Sequence, residues 1–256
     1  AVGAPGTAGV ARAPGAAPRV VSVGGALTEI VFELGLGDWL VATDTTSTWP
    51  AAAERLPKVG YLRALSAEGL LALRPTLLLA AADAGPPPVL RQLDAAGLRV
   101  VRSAGGHSFE ALQRSVADVG AALGGEAPAR ELAARLADRW AEVTARVARA
   151  RQRPRVLFVL AHAGANVQVS GHGTAAHAMI ELAGGSNAIG ALAGYRPLTA
   201  EGAVQAAPDV IVATRQGLEA TGGVDGLLSR PGLALTPAGR ARRVAAPEAA
   251  YLLGFG

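Results

Sequence analysis

Leu65-Ser66-Ala67-Glu68-Gly69-Leu70-Leu71-Ala72-Leu73-Arg74-Pro75-Thr76-Leu77-Leu78-Leu79-Ala80 returns, 133 residues later and without a gap, as Leu198-Thr199-Ala200-Glu201-Gly202-Ala203-Val204-Gln205-Ala206-Ala207-Pro208-Asp209-Val210-Ile211-Val212-Ala213. In each copy a hydroxyl residue stands where a helix N-cap belongs, with a carboxylate in the first turn. A proline then ends the helix, because the residue before it avoids helical angles. A continuous apolar run follows, as a strand buried in a parallel sheet requires. A helix–strand element repeated in this way predicts two α/β lobes.

The chain around the repeat fits that frame. Residues 1–18 are rich in Ala, Gly and Pro and read as a flexible tail. Residues 19–106 read as the first lobe, β-α-β-α-β-α-β. Its strands start at Arg19-Val20-Val21-Ser22-Val23, Leu40-Val41-Ala42-Thr43, Thr76-Leu77-Leu78 and Leu98-Arg99-Val100-Val101. Residues 107–154 hold a helix from Phe109 to Leu123 and a longer one from Ala127 to Gln152. The longer one carries Leu132, Leu136, Trp140, Val143 and Val147 as one stripe. At about 1.5 Å per residue that helix spans roughly 39 Å, enough to join two lobes. Residues 155–256 read as the second lobe, opening on the strand Val156 to Ala161. The fold class is therefore α/β: two Rossmann-like lobes with mostly parallel sheets and one long linking helix.

Composition narrows the function. Hydrophobic residues make up 50% and charged residues 17%, which suits a globular chain. Of the 24 basic residues only Lys58 is lysine, and no basic stripe interleaved with aromatics appears, so nucleic acid is not an expected partner. No cysteine occurs, which leaves no disulfide, thiolate metal site or cysteine nucleophile in these residues. No run reaches the length of a membrane span, and no leader pattern is visible, so an exported protein would be represented here in its mature form. The motifs Gly-x-Ser-x-Gly, the phosphate loop, His-Glu-x-x-His and Gly-x-Gly-x-x-Gly after a strand are missing.

Ligands of open α/β sheets lie beyond the carboxyl ends of the strands. Several residues stand out there. Tyr61, in Gly60-Tyr61-Leu62-Arg63, is either a loop aromatic covering the core or a phenolate ligand for a hard ferric ion. Arg63 or Arg215 would supply the cation that favours the anion. His162 directly follows the strand ending at Ala161, as a polar loop residue or a group facing a cleft. His172 and His177 are five apart, a spacing that suits surface residues at a helix start. Glu68 and Glu201 either answer their helix dipoles or present paired acidic contacts to a two-fold partner.

Gly60-Tyr61-Leu62-Arg63-Ala64-Leu65-Ser66-Ala67-Glu68-Gly69 resembles the ligand loop of periplasmic heme-binding proteins of bacterial ABC heme importers. The likeness extends through Gly171 to Gly185, Tyr195 to Pro208, Thr214 to Leu228 and Leu252 to Gly256. It implies a non-enzymatic, monomeric periplasmic carrier holding one or two hemes between its lobes. It implies Tyr61 as axial iron ligand, Arg63 and Arg215 at the tyrosinate or the propionates, and His162 as ligand of a second heme, with His172 and His177 as competitors. It also implies Glu68 and Glu201 docking onto an ABC permease dimer with its ATPase subunits, the only contact with the membrane. A further C-terminal helix is expected after Gly254-Phe255-Gly256, where this sequence stops. The alternatives are a ferric siderophore or cobalamin binder of the same fold, and an α/β enzyme for which only His162 with Asp44 or Asp83 is suggestive.

Overall fold

The computed structural model describes residues 18–161 and 167–254. The chain divides into two compact units that part between Ala104 and Gly105.

The first unit runs β1 (Val20–Val23), α1 (Gly25–Glu33), β2 (Leu40–Thr43), α2 (Ala51–Glu54), α3 (Ala67–Ala72), β3 (Leu77–Ala80), α4 (Pro87–Ala95) and β4 (Arg99–Arg102). Its sheet has the order β2-β1-β3-β4, and every pairing is parallel. Val20, Val21, Val23, Leu78 and Ala80 are buried. That is why their runs show no polar alternation. Helix α4 opens on two prolines, because a proline at the first helical positions lacks only an N–H that would be unpaired anyway.

The second unit begins with α5 (Phe109–Leu123) and α6 (Glu126–Ala148). Phe109 and Trp140 stack across them, ring centroids 4.9 Å apart. Helix α6 is 23 residues long and stops four residues short of Gln152. No apolar side chain larger than alanine follows Val147 to hold another turn, and three arginines crowd residues 149–153. The unit continues with β5 (Arg155–Leu160), β6 (Gln168–Ser170), α7 (Ala175–Leu182), β7 (Ser186–Asn187), β8 (Tyr195–Pro197), α8 (Ala200–Ala206) and β9 (Val210–Ala213). It closes with α9 (Arg215–Ala220), α10 (Gly223–Leu228), α11 (Pro237–Arg240), β10 (Val244–Ala245) and α12 (Ala249–Leu253). The sheet order is β10-β9-β5-β6-β8, with β7 on β5. Strands β10, β9, β5 and β7 pair in parallel, whereas β6 runs antiparallel to both β5 and β8. The expected parallel sheet is thus extended by an antiparallel edge. Its strands are three residues long and Pro197 sits at the edge, where a missing N–H is tolerated. Among the described residues no helix is long and apolar enough to cross a membrane.

The repeat holds in three dimensions. Ser66 Oγ accepts from Gly69 N at 3.3 Å and Thr199 Oγ1 from Gly202 N at 3.0 Å. Leu73 to Thr76 and Ala206 to Asp209 are both clamped by an arginine. Arg19 Nη2 donates to Leu73 O at 2.8 Å, and Arg155 Nη2 donates to Ala206 O at 2.8 Å. Each guanidinium thereby fills a carbonyl that its helix end leaves open.

The residue before each proline, Arg74 or Ala207, takes a left-handed conformation, with φ of 47° and 40°. The extended geometry expected before proline gives way because a left-handed residue closes the helix end. That conformation costs a residue with a Cβ about 1–2 kcal/mol. Ala207 has no further side chain to lose. Ala207→Gly is therefore expected to stabilise the protein by about 1 kcal/mol, after allowing for glycine's freedom when unfolded, as an upward shift in the urea midpoint.

Candidate functional site

The first unit places Tyr61 at the carboxyl edge of its sheet, and a buried carboxylate fixes the loop that carries it. Asp44 follows β2 and is buried, so its oxygens need donors. They receive four: Gly24 N at 2.9 Å, Thr46 N at 2.9 Å, Thr46 Oγ1 at 2.6 Å and Ser47 Oγ at 2.7 Å. Thr28 Oγ1 ties Ser22 Oγ (2.9 Å) and Ser47 Oγ (2.8 Å) into the same knot. Gly24 adopts φ of 117°, and a Cβ there would stand 2.7 Å from that of Ala81, so only glycine lets the β1–α1 turn reach the carboxylate. Lys58 Nζ donates to Thr43 Oγ1 and Ser47 O at 2.8 Å each and to Ala53 O at 3.0 Å. Burial pushes the pKa of its ammonium down, against the opposing pull of Asp44 and Glu54.

From this knot the chain turns outward. Val59 N donates to Thr43 O and Thr45 N to Gly60 O, both at 2.9 Å. Gly60 takes φ of 96°, which redirects the backbone at the tyrosine. Leu62 and Leu65 are buried while Tyr61 remains 45% exposed, so the leucines anchor a loop that presents the phenol to solvent. Ala64 N bonds Tyr61 O at 2.8 Å, and Gly85 N bonds Leu62 O at 2.8 Å, zipping the loop to the one that follows β3.

That second loop supplies Asp83. Its Oδ2 accepts from Arg63 Nε at 3.1 Å and Arg63 Nη2 at 2.5 Å, and Arg63 Nη1 donates to Tyr61 Oη at 3.2 Å. The carboxylate orients the guanidinium, and the guanidinium addresses the phenol oxygen. A cation held there can meet a tyrosinate ligand or an acidic group of a ligand. The sequence pairs Tyr61 with Arg63 but gives Asp83 no part in this group. A lone acid just past a strand end, in Ala81-Ala82-Asp83-Ala84-Gly85, is the signal that points to it.

In the second unit Arg215 opens α9, directly after β9. It is ion-paired with Glu248, whose other oxygen accepts from Gln216 Nε2 at 3.0 Å. Thr214 Oγ1 caps that helix by accepting from Gly217 N at 3.0 Å. His162 lies outside the described residues. His177 sits at the start of α7 with Nδ1 3.2 Å from Asn187 Nδ2, where the imidazole nitrogen accepts. His172 is exposed and its backbone is bridged to Leu192 and Gly194. Glu68 and Glu201 are both exposed in the first turns of α3 and α8, and Glu201 Oε1 accepts from Gln205 Nε2 at 3.2 Å. Among the described residues no group of three His, Asp or Glu side chains could hold a bare metal ion. Asp44 and Asp83, the acids considered for an enzyme, are taken up by the buried knot and by Arg63.

A family model described as periplasmic binding protein matches residues 20–250. Among solved structures the chain is similar to the periplasmic heme-binding protein RhuT from Roseiflexus sp. RS-1 in apo form. The identity is 42% and the TM-score 0.91, covering 94% of this chain and 93% of that one. It is also similar to the periplasmic heme-binding protein BhuT in complex with two hemes, at 46% identity and a TM-score of 0.89, covering 93% and 92%. A curated relative is the uncharacterized ABC transporter substrate-binding lipoprotein YvrC of Bacillus subtilis (strain 168), 26% identical over 199 residues, 77% of this chain and 63% of that protein. Another is the vitamin B12-binding protein of Yersinia pestis, 39% identical over 88 residues, 34% of this chain and 31% of that protein. The chain thus spans less than two thirds of the length of these curated relatives.

The Asp44 knot makes a stability prediction. Asp44→Ala strands buried donors and is expected to cost about 2–4 kcal/mol, seen in urea unfolding. Thr76→Val, at the amino end of the same sheet, is expected to cost about 1 kcal/mol through its hydroxyl's bonds with Arg19 N and Arg19 O.

Proposed function

We propose that this chain, which belongs to the periplasmic binding protein family, captures heme and hands it to an ABC permease. The observation that carries the reading is the Tyr61–Arg63–Asp83 group. An exposed phenol is held on a rigid turn, with a guanidinium on its oxygen and a carboxylate locking the guanidinium. A phenolate is a hard anionic donor suited to ferric iron, and tyrosine is a known axial ligand of heme. Two proteins named for heme binding, similar over almost the whole chain, support the same cargo.

In this reading Tyr61 ligates the iron, and Arg63 meets the tyrosinate or a propionate. Arg215 serves a propionate in exchange for Glu248. His162 is the candidate ligand of a second heme, a count that the two-heme form of BhuT makes worth testing. Glu68 and Glu201 dock the loaded, monomeric protein onto a permease dimer carrying its ATPase subunits. The protein works in the periplasm and meets the membrane only through the permease. The family is one of binding proteins, and no catalytic step is assigned. The vitamin B12-binding relative favours cobalamin as the alternative cargo, but that reading leaves Tyr61 and its arginine without a task.

Titrating the apo-protein with hemin, and separately with cyanocobalamin, decides between them. Hemin is expected to bind at micromolar concentration or tighter with a tyrosinate-type visible spectrum. Tyr61→Ala should lose that spectrum and about 100-fold in affinity, near 2.7 kcal/mol. Asp83→Asn should keep the spectrum and lose about tenfold, as the partners of a ligand usually do. Tight cyanocobalamin binding with no hemin binding would overturn the reading. Stoichiometry tests the second heme: two equivalents falling to one in His162→Ala assign that histidine, and an unchanged count removes it.

A further inference from the structure

Leu71 and Val204 are left 38% and 44% exposed. They hold the same place in the repeat, 133 residues apart, three residues after Glu68 and Glu201. That spacing puts each on the helix face of its glutamate. The residue just before each, Leu70 or Ala203, is fully buried and faces the core. The turn below is also shared: Leu71 O accepts from Arg74 N at 2.9 Å, and Val204 O from Ala207 N at 3.1 Å. Single exposed hydrophobic residues need no explanation. The same arrangement of acid, glycine and apolar side chain, built twice on two different cores, does.

The glycine adds an independent observation. Glycine weakens a helix, yet Gly69 and Gly202 follow both glutamates. At Gly202 a Cβ would stand 2.8 Å from the capping Thr199 Oγ1, so the cap itself disfavours a side chain. At Gly69 the nearest atoms would be those of Ser66 at 3.8 Å, an ordinary contact. Packing inside the first unit therefore does not ask for glycine. Gly69 leaves a strip of bare backbone beside the Glu68 carboxylate.

We propose that Glu68, Gly69 and Leu71, with Glu201, Gly202 and Val204, form two copies of one docking patch. Its partner presents the matching surface twice, each time as a basic side chain beside an apolar pocket. A permease with two equivalent membrane subunits is such a partner. The inference rests on the docking role given above to the glutamates and adds the contacts that hold the complex. The carboxylates steer and orient, whereas burial of Leu71 and Val204 slows dissociation.

The test uses the heme-loaded protein and the permease–ATPase complex of the same bacterium in nanodiscs, reading affinity and stimulated ATP hydrolysis. Leu71→Ser and Val204→Ser are each expected to weaken docking about tenfold, with hemin affinity and thermal midpoint unchanged. Gly69→Ala is expected to raise the thermal midpoint by roughly 2 °C while weakening docking. If the Leu71→Ser/Val204→Ser double variant docks like the wild type while Glu68→Arg/Glu201→Arg fails, the apolar patch is overturned and the carboxylate role stands. If the charge-reversed variant also docks normally, both are overturned.

Discussion

A carboxylate without water must be surrounded by donors, and in this protein that requirement shapes the first unit's functional edge. Asp44 draws in the β1–α1 turn through Gly24 and its own loop through Thr46 and Ser47. Lys58 then closes the loop over Ser47 and Thr43. Beside these loops Val59 meets Thr43, and Gly60 turns the chain at Tyr61. The loop that carries the phenol is tied down because a buried carboxyl group earlier in the chain must be supplied with donors. Preorganisation of this kind lets a ligand bind without first ordering the loop.

Much of the fold was legible because the repeat carries its own punctuation. Cap, acid, proline and apolar run specify a helix followed by a buried strand twice over, and both form as read. The clamping arginines escaped the same reading. Arg19 and Arg155 do equivalent work at Leu73 and Ala206, but they lie 136 residues apart rather than 133, so a gapless alignment passes over them. The antiparallel edge was illegible for another reason. Gln168-Val169-Ser170 and Tyr195-Arg196-Pro197 are too short and too polar to show a period, and only pairing makes them strands.

The site was legible in part. Tyr61 and Arg63 stand two residues apart, and the turn between them leaves both outside because Leu62 and Leu65 take the inward positions. Asp83 could not be paired with them from spacing alone, since it arrives from the loop after a different strand. Parallel sheets gather distant segments at one edge in this way. Glu68 and Glu201 were visible as a pair, but the exposure of Leu71 and Val204 beside them was not. On an isolated helix of mixed residues, which apolar side chain turns inward depends on where the sheet lies.

The two units use similar material just before the shared helix to different ends. Gly60-Tyr61-Leu62-Arg63 precedes the first cap, and Gly194-Tyr195-Arg196 precedes the second. In the second unit the segment is drawn into β8, where Tyr195 pairs with Ser170 and Arg196 with Val169. Its backbone groups are spent on the sheet, and the tyrosine's direction follows the pleat. In the first unit the backbone of this segment bonds to two neighbouring loops instead, through Thr45 and Gly85. Leu62 lies between tyrosine and arginine and is buried, while Tyr61 and Arg63 on either side of it stay exposed. The guanidinium then reaches the phenol at 3.2 Å. Different backbone partners thus separate a strand from a ligand loop, and the same capped helix follows both.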